Sequence, residues 1–165
     1  MLKIINNLKP FIEDNYREIN VREYARLNKI SPPTASKLLN YYKTQEILRK
    51  KEDKGYILYY ANRDSILFID TARIYWKLQL KGVIEQINNQ LFNPVIILFG
   101  SLAKAEAKKD SDIDLAIFTK SKEEIKINKT NREIQIFRFK DRKDVENKEL
   151  LNNILNGYKL SGEWE

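Results

Sequence analysis

The chain has 165 residues, with 30 Lys and Arg against 23 Asp and Glu, a formal net charge of +7. It contains no cysteine and no histidine, which excludes disulfides, thiolate or imidazole zinc sites and a histidine base; any general base has to be a carboxylate. The length suits one ordinary domain or two small ones, and no apolar run approaches a membrane span, so a cytoplasmic protein without a membrane partner is expected.

The charge is unevenly placed. Residues 1–64 carry 13 basic and 8 acidic side chains, a net of +5, and residues 65–165 carry 17 and 15, a net of +2. A nucleic-acid surface in the first part is the idea this raises; plain solubility is the alternative.

Ile4, Ile5, Leu8, Phe11 and Ile12 recur at helical spacing, with Pro10 inside the pattern, so the helix either kinks there or is two pieces. Asn20 followed by Glu23 is a variant capping box. The helix it starts turns Val21, Tyr24, Ala25 and Leu27 toward a core. Ser31-Pro32 starts another, with a hydroxyl cap and Pro at the first helical position. That helix buries Ala35, Leu38, Leu39 and Tyr42 and leaves Pro33, Thr34, Ser36, Lys37, Asn40 and Lys43 outward. Two strand-like runs follow, 47–51 and 56–60, around a four-residue turn Glu52-Asp53-Lys54-Gly55.

Two short helices, a tight turn and a basic hairpin resemble the winged helix-turn-helix domains of bacterial and archaeal regulators. The resemblance implies duplex DNA as a partner, contacted by Thr34, Ser36, Lys37 and Asn40 on the helix and Lys50, Lys51 and Lys54 on the hairpin. A small helical domain for protein contacts is the other reading.

From Ser65 to Leu91 the positions Ile69, Ala72, Trp76, Leu80, Val83, Ile87 and Leu91 keep helical spacing, weakened at Gly82. This predicts one long linker helix. Its flank with Phe68, Tyr75 and Leu78 packs either within the chain or on a second subunit, as in a homodimer.

The stretch that carries the chemistry is FGSLAKAEAKKDSDIDLAIF, residues 99–118. The run Val95–Phe99 reads as a buried strand, ended by Gly100, where the backbone can turn sharply. Ser101 opens a helix, with Lys104 one turn in, whose free N–H groups and hydroxyl suit a phosphate. Ile113–Phe118 reads as a second strand. Asp112 and Asp114, two apart, send both carboxylates to one face. Side by side they repel unless a cation lies between them, and hard oxygen ligands favour Mg²⁺ over zinc. A strand-end Gly-Ser for a triphosphate and paired Asp for a metal suit in-line displacement at phosphorus.

The stretch closely resembles the signature of the polymerase-β-like nucleotidyltransferase superfamily, and within it the minimal nucleotidyltransferases. Phe99, Gly100, Ser101, Asp112, Ile113 and Asp114 match it; Ala105 departs from it, since many relatives carry Gly there. The resemblance implies phosphate contacts from Gly100 and Ser101, and Mg²⁺ or Mn²⁺ on Asp112 and Asp114. It also implies ATP or another NTP as substrate. Lys104 is a candidate for the γ-phosphate, or else a solvated lysine.

Residues 132–140 alternate as a third strand, where relatives often carry a further carboxylate. Here Gln135 holds that position, with Glu133 on the same face as a substitute, or the site has two carboxylates only. Residues 144–155 predict a closing amphipathic helix through Val145, Leu150, Leu151, Ile154 and Leu155. The tail 157–164 covers either the nucleotide site or a partner surface, or is a docked terminus.

The expected architecture is α+β: a winged helix-turn-helix (1–62), a linker helix (63–92) and a small mixed-sheet nucleotidyltransferase domain (93–165). The expected function is Mg²⁺-dependent transfer of NMP to an unknown acceptor. By resemblance that acceptor can be a partner protein, as when an antitoxin modifies its toxin. A non-catalytic DNA-binding regulator and a structural adaptor are the alternatives.

Overall fold

The computed structural model describes residues 2–164; positions 1 and 165, where the expected first domain begins and the expected last one ends, lie outside the described residues. The chain divides into two units, Met1–Tyr75 with Ala105–Lys109, and Trp76–Lys104 with Asp110–Glu165.

In the first unit α1 (Leu2–Ile12) is a single helix with Pro10 in its last turn. Ile5, Leu8, Phe11 and Ile12 are buried, whereas Ile4, expected inside, is 44% exposed. A two-residue strand β1 (Ile19–Asn20) leads into α2 (Val21–Asn28). Asn20 caps α2 by accepting from the Glu23 N–H at 2.9 Å. The Glu23 carboxylate pairs with Arg17 at 2.7 Å. Tyr24 and Ala25 face inward, and Leu27 is exposed, contrary to the spacing argument. The inward stripe runs through Val21, Tyr24, Ala25 and Asn28, and on so short a helix Leu27 falls beyond its edge.

Lys29, at φ 54°, turns the chain into α3 (Pro32–Thr44), capped by Ser31. Ala35, Leu39 and Tyr42 are its buried residues; Leu38 is half-buried. Strands β2 (Leu48–Asp53) and β3 (Tyr56–Ala61) pair with Asp53 opposite Tyr56. The connection is therefore Lys54-Gly55 alone, not four residues. Both take positive φ, 48° and 78°, as a tight two-residue hairpin turn requires. The sheet order is β1-β3-β2. β1 was not expected, because two residues carry no periodicity.

The predicted linker helix is two helices, α4 (Ile66–Gln79) and α5 (Lys81–Gln90), separated at Leu80. Trp76, Leu80, Val83 and Ile87 are all buried, so the apolar spacing runs on across the break and hides it. The first unit extends into α4 because Phe68, Ala72 and Tyr75 are buried, and the Tyr75 hydroxyl bonds the Glu13 carboxylate. The flank offered to a second subunit thus loses Phe68 and Tyr75; Leu78 stays 44% exposed.

The second unit is built on β4 (Val95–Phe99), β5 (Ile113–Phe118), β6 (Ile134–Phe139) and β7 (Tyr158–Ser161), in the order β6-β5-β4-β7. β5 and β6 are parallel and the other neighbours antiparallel, so the sheet is mixed. Every residue of β4 is buried, as its unbroken apolar run predicts. α6 (Gly100–Ala103) and α7 (Lys148–Leu155) complete the unit. The predicted closing helix is shorter than expected. A 3₁₀ turn (Arg142–Asp144) precedes it and Asn147 caps it.

One sheet face buries Val95, Ile97, Phe99, Ala116 and Phe118 against Val145 and Ile154, with Phe137, Phe139, Leu150 and Leu151 at the margin. The tail forms the edge strand β7 against β4. Gly162, at φ 83°, lets the tail cross Pro94, where a Cβ would strike the Pro94 carbonyl. Residues 121–127 have no regular structure. Gln90 holds their backbone, donating to the Lys126 carbonyl at 2.7 Å and accepting from its N–H at 2.8 Å. Among the described residues no helix is long and apolar enough to cross a membrane.

Candidate active site

β4 and β5 pair with Phe99 opposite Asp114. The chain leaves β4 at Gly100 with φ 71°, and a Cβ there would overlap the Asp114 carboxylate. Glycine is thus required twice, by its left-handed backbone and by the approach of the carboxylate. The first turn of α6 begins at once, placing the half-buried Ser101 beside that junction.

On the other side, the Ile113 N–H donates to the Glu133 carbonyl at 2.8 Å. The parallel register then sets Gln135 opposite Asp114. Its Nε2 donates to Asp112 Oδ2 at 2.8 Å. Gly100, Asp112, Asp114 and Gln135 therefore meet at one end of three adjacent strands. Arg132 supports the approach to β5 by donating to the Ser111 carbonyl at 2.6 Å, its guanidinium 5.0 Å from the centre of the Trp76 ring.

The Asp114 carboxyl is pushed above the ordinary carboxylate range, first by burial and then by the charge of Asp112. Two neighbouring half-buried carboxylates are what a divalent cation relieves. The two carboxylates offer oxygen ligands of the kind a hard cation such as Mg²⁺ or Mn²⁺ takes, whereas Gln135 turns its N–H group toward Asp112. Among the described residues no three acidic side chains gather to hold a metal. Glu133 thus does not complete a three-carboxylate set with Asp112 and Asp114.

Lys104 is not inside a helix, since α6 ends at Ala103, and its Nζ donates to Asn153 Oδ1 at 2.6 Å. The sequence held no signal for that partner. Ala105, the position at which the motif resemblance leads one to expect Gly, is buried at φ 57°. The backbone there takes the left-handed conformation that glycine adopts most easily.

Of the residues assigned to DNA, Thr34, Lys37 and Asn40 are exposed on α3 and Ser36 is half-buried. The Thr34 hydroxyl lies 2.8 Å from that of Ser31. Asn40 Oδ1 accepts from the Tyr59 hydroxyl at 2.9 Å, which ties α3 to the hairpin. Lys50, Lys51 and Lys54 are exposed on the hairpin. Lys51 meets Glu18 at 2.6 Å, and that bond raises its pKa. Exposed Tyr41 and Tyr56, which the sequence argument passed over, add aromatic surface to the same elements.

A mixed sheet with helices and a Gly-Ser turn against an Asp-Ile-Asp strand is consistent with a nucleotidyltransferase domain. Residues 81–160 match the family model described as Polymerase beta, Nucleotidyltransferase. This supports the nucleotidyltransferase superfamily for that part of the chain, as the motif resemblance implied. No curated protein and no solved structure matches the chain.

Proposed function

We propose that the second unit transfers a nucleoside monophosphate from an NTP, ATP in the first place, to an acceptor hydroxyl on a partner protein, with Mg²⁺ or Mn²⁺ as cofactor. The observation that carries this reading is the fit of Gly100 against the Asp114 carboxylate, which brings the Gly-Ser turn and the aspartate pair to one point. Asp112 and Asp114 would hold the cation. When bound, it supplies charge neutralisation along the triphosphate. Gly100 and Ser101 offer backbone N–H groups and a hydroxyl to the phosphates. The acceptor oxygen attacks the α-phosphorus, the bond to the β-phosphate oxygen breaks, and pyrophosphate leaves. Gln135 can orient the acceptor but cannot take its proton; Glu133, the residue just before β6, is the candidate to take it, and water is the alternative sink.

The first unit, in this reading, is a winged helix-turn-helix that binds duplex DNA through α3 and the basic hairpin. Its element order, the β1-β3-β2 sheet and the exposed Lys37, Lys50 and Lys54 support it. A second reading, a regulator that binds nucleotide without turnover, draws on Gln135 standing where a third carboxylate would be.

Pyrophosphate release separates the two. Wild type with ATP, Mg²⁺ and the proteins of its host should release pyrophosphate, and the double variant Asp112→Asn/Asp114→Asn should not. Equal release from both would place the reaction outside this site.

A further inference from the structure

At the opposite end of the same sheet lies a cavity of about 670 Å³. Its floor is Val95 and Phe118, which pair where β4 begins and β5 ends. From there to Asp114 is roughly 13 Å of strand, so this cavity is separate from the aspartate pair. The parallel strands β5 and β6 both direct their carboxyl ends toward it.

The lining has two characters. Three aromatic rings stand around it: Phe118 in the floor, Trp164 edge-on to Phe118 at 5.0 Å between centroids, and Phe92, whose side chain is 94% exposed at the rim. Four cations share the lining, Lys120, Lys140, Arg142 and Lys143, against two acids, Asp141 and Glu163. The Asp141 carboxylate is occupied locally, accepting from the Lys143 N–H at 2.7 Å in the cap of the 3₁₀ turn. The Arg142 guanidinium lies 3.9 Å from the centre of the Trp164 ring, which holds both at the wall. Aromatic faces stack on a planar ring, and Lys and Arg pair with phosphate oxygens. An exposed ring as large as Phe92 at the mouth of a basic cavity lacks a partner within the lining and suits a planar one.

We infer that this cavity is a second binding site, distinct from the Asp112/Asp114 site, for a nucleoside phosphate, either free or at the phosphorylated end of a single strand. The base stacks on the exposed Phe92 with Trp164 beside it, above a floor closed by the buried Phe118. The phosphate faces Lys140 and Lys143. No metal is required, because the cations are side chains.

The test uses the full chain with Asp112→Asn/Asp114→Asn in EDTA, so that the first site is silent. AMP, inorganic phosphate and a 5′-phosphorylated oligoadenylate are titrated by calorimetry. Saturable binding of AMP is expected, weakened at least tenfold by Lys140→Glu/Lys143→Glu, two exposed positions whose change should leave the fold intact by circular dichroism. Binding of the oligonucleotide but not of AMP, lost in the same variant, would keep the site and identify a strand end as its ligand. Phosphate binding as tightly as AMP would overturn the aromatic half of the proposal. No saturable binding of either nucleotide, or binding unmoved by the charge reversal, would overturn the whole.

Discussion

Gln135 donates from Nε2 to Asp112 Oδ2 at 2.8 Å, across the β5/β6 pair, at the position where the motif resemblance leads one to expect a further carboxylate. The amide partners the pair without adding charge, and this sets the first prediction. Gln135→Asp adds a third hard ligand, so it should tighten Mg²⁺ binding and raise the transfer rate about tenfold or more. Without metal the same variant should melt lower than wild type, since three carboxylates then repel. Metal titration followed by melting temperature checks both signs.

Gly100→Ala should lower stability by about 3 kcal/mol, combining left-handed strain of about 1–2 kcal/mol with an overpacking cost of about 1–3. The methyl group displaces the Asp114 carboxylate, so metal-dependent ATP binding should fall as well. Denaturant unfolding and nucleotide titration measure the two effects. A stable variant with intact binding would mean that the turn and Asp114 are not in contact.

The raised pKa of Asp114 has a defined pH signature in the metal-free protein. The folded state prefers the protonated form. That preference is fully present below the unfolded pKa of about 4 and is lost as pH rises through the elevated folded value. Asp114→Asn cannot ionise. Its melting temperature should therefore gain on wild type as pH rises from about 3.5 to 7.5. The difference between the two proteins is the quantity to plot, because it cancels the carboxylates remote from this pair and leaves Asp114 with its coupling to Asp112.

For the first unit, the full chain should bind duplex DNA with an affinity that falls steeply with salt, as Lys and Arg release counterions from phosphates. Lys37→Ala and Lys54→Ala should each weaken binding several-fold across sequences and flatten the salt slope by about one. The full chain is the right material. A fragment ending near residue 64 would strip Phe68, Ala72 and Tyr75 from the core of this unit. Filter binding at several salt concentrations makes the measurement, and salt-insensitive or absent binding would refute the DNA assignment.

Much of the second unit was legible in the sequence because its signals are local. Val95–Phe99 is apolar at every position and ends at glycine, and it is a strand with those bounds. Asp112 and Asp114 could be placed on one face by counting two. What stayed hidden depends on pairing between distant segments. Nothing near Lys104 announces Asn153, which lies 49 residues away. The break at Leu80 was masked because the apolar spacing runs through it. Leu27 shows the limit of the spacing argument on a two-turn helix, where one residue at the edge can fall either way. β1 and the tail strand β7 join their sheets through backbone pairing that side-chain pattern does not encode.

The most direct test is label transfer from α-³²P ATP in Mg²⁺, with host proteins present, comparing wild type, Asp112→Asn/Asp114→Asn, Glu133→Gln and Gln135→Asp. The account predicts covalent label on a protein acceptor with wild type, more with Gln135→Asp, less with Glu133→Gln and none with the double variant. Clean ATP binding without any label from wild type or Gln135→Asp, in Mg²⁺ or Mn²⁺, would contradict it and leave the non-catalytic regulator.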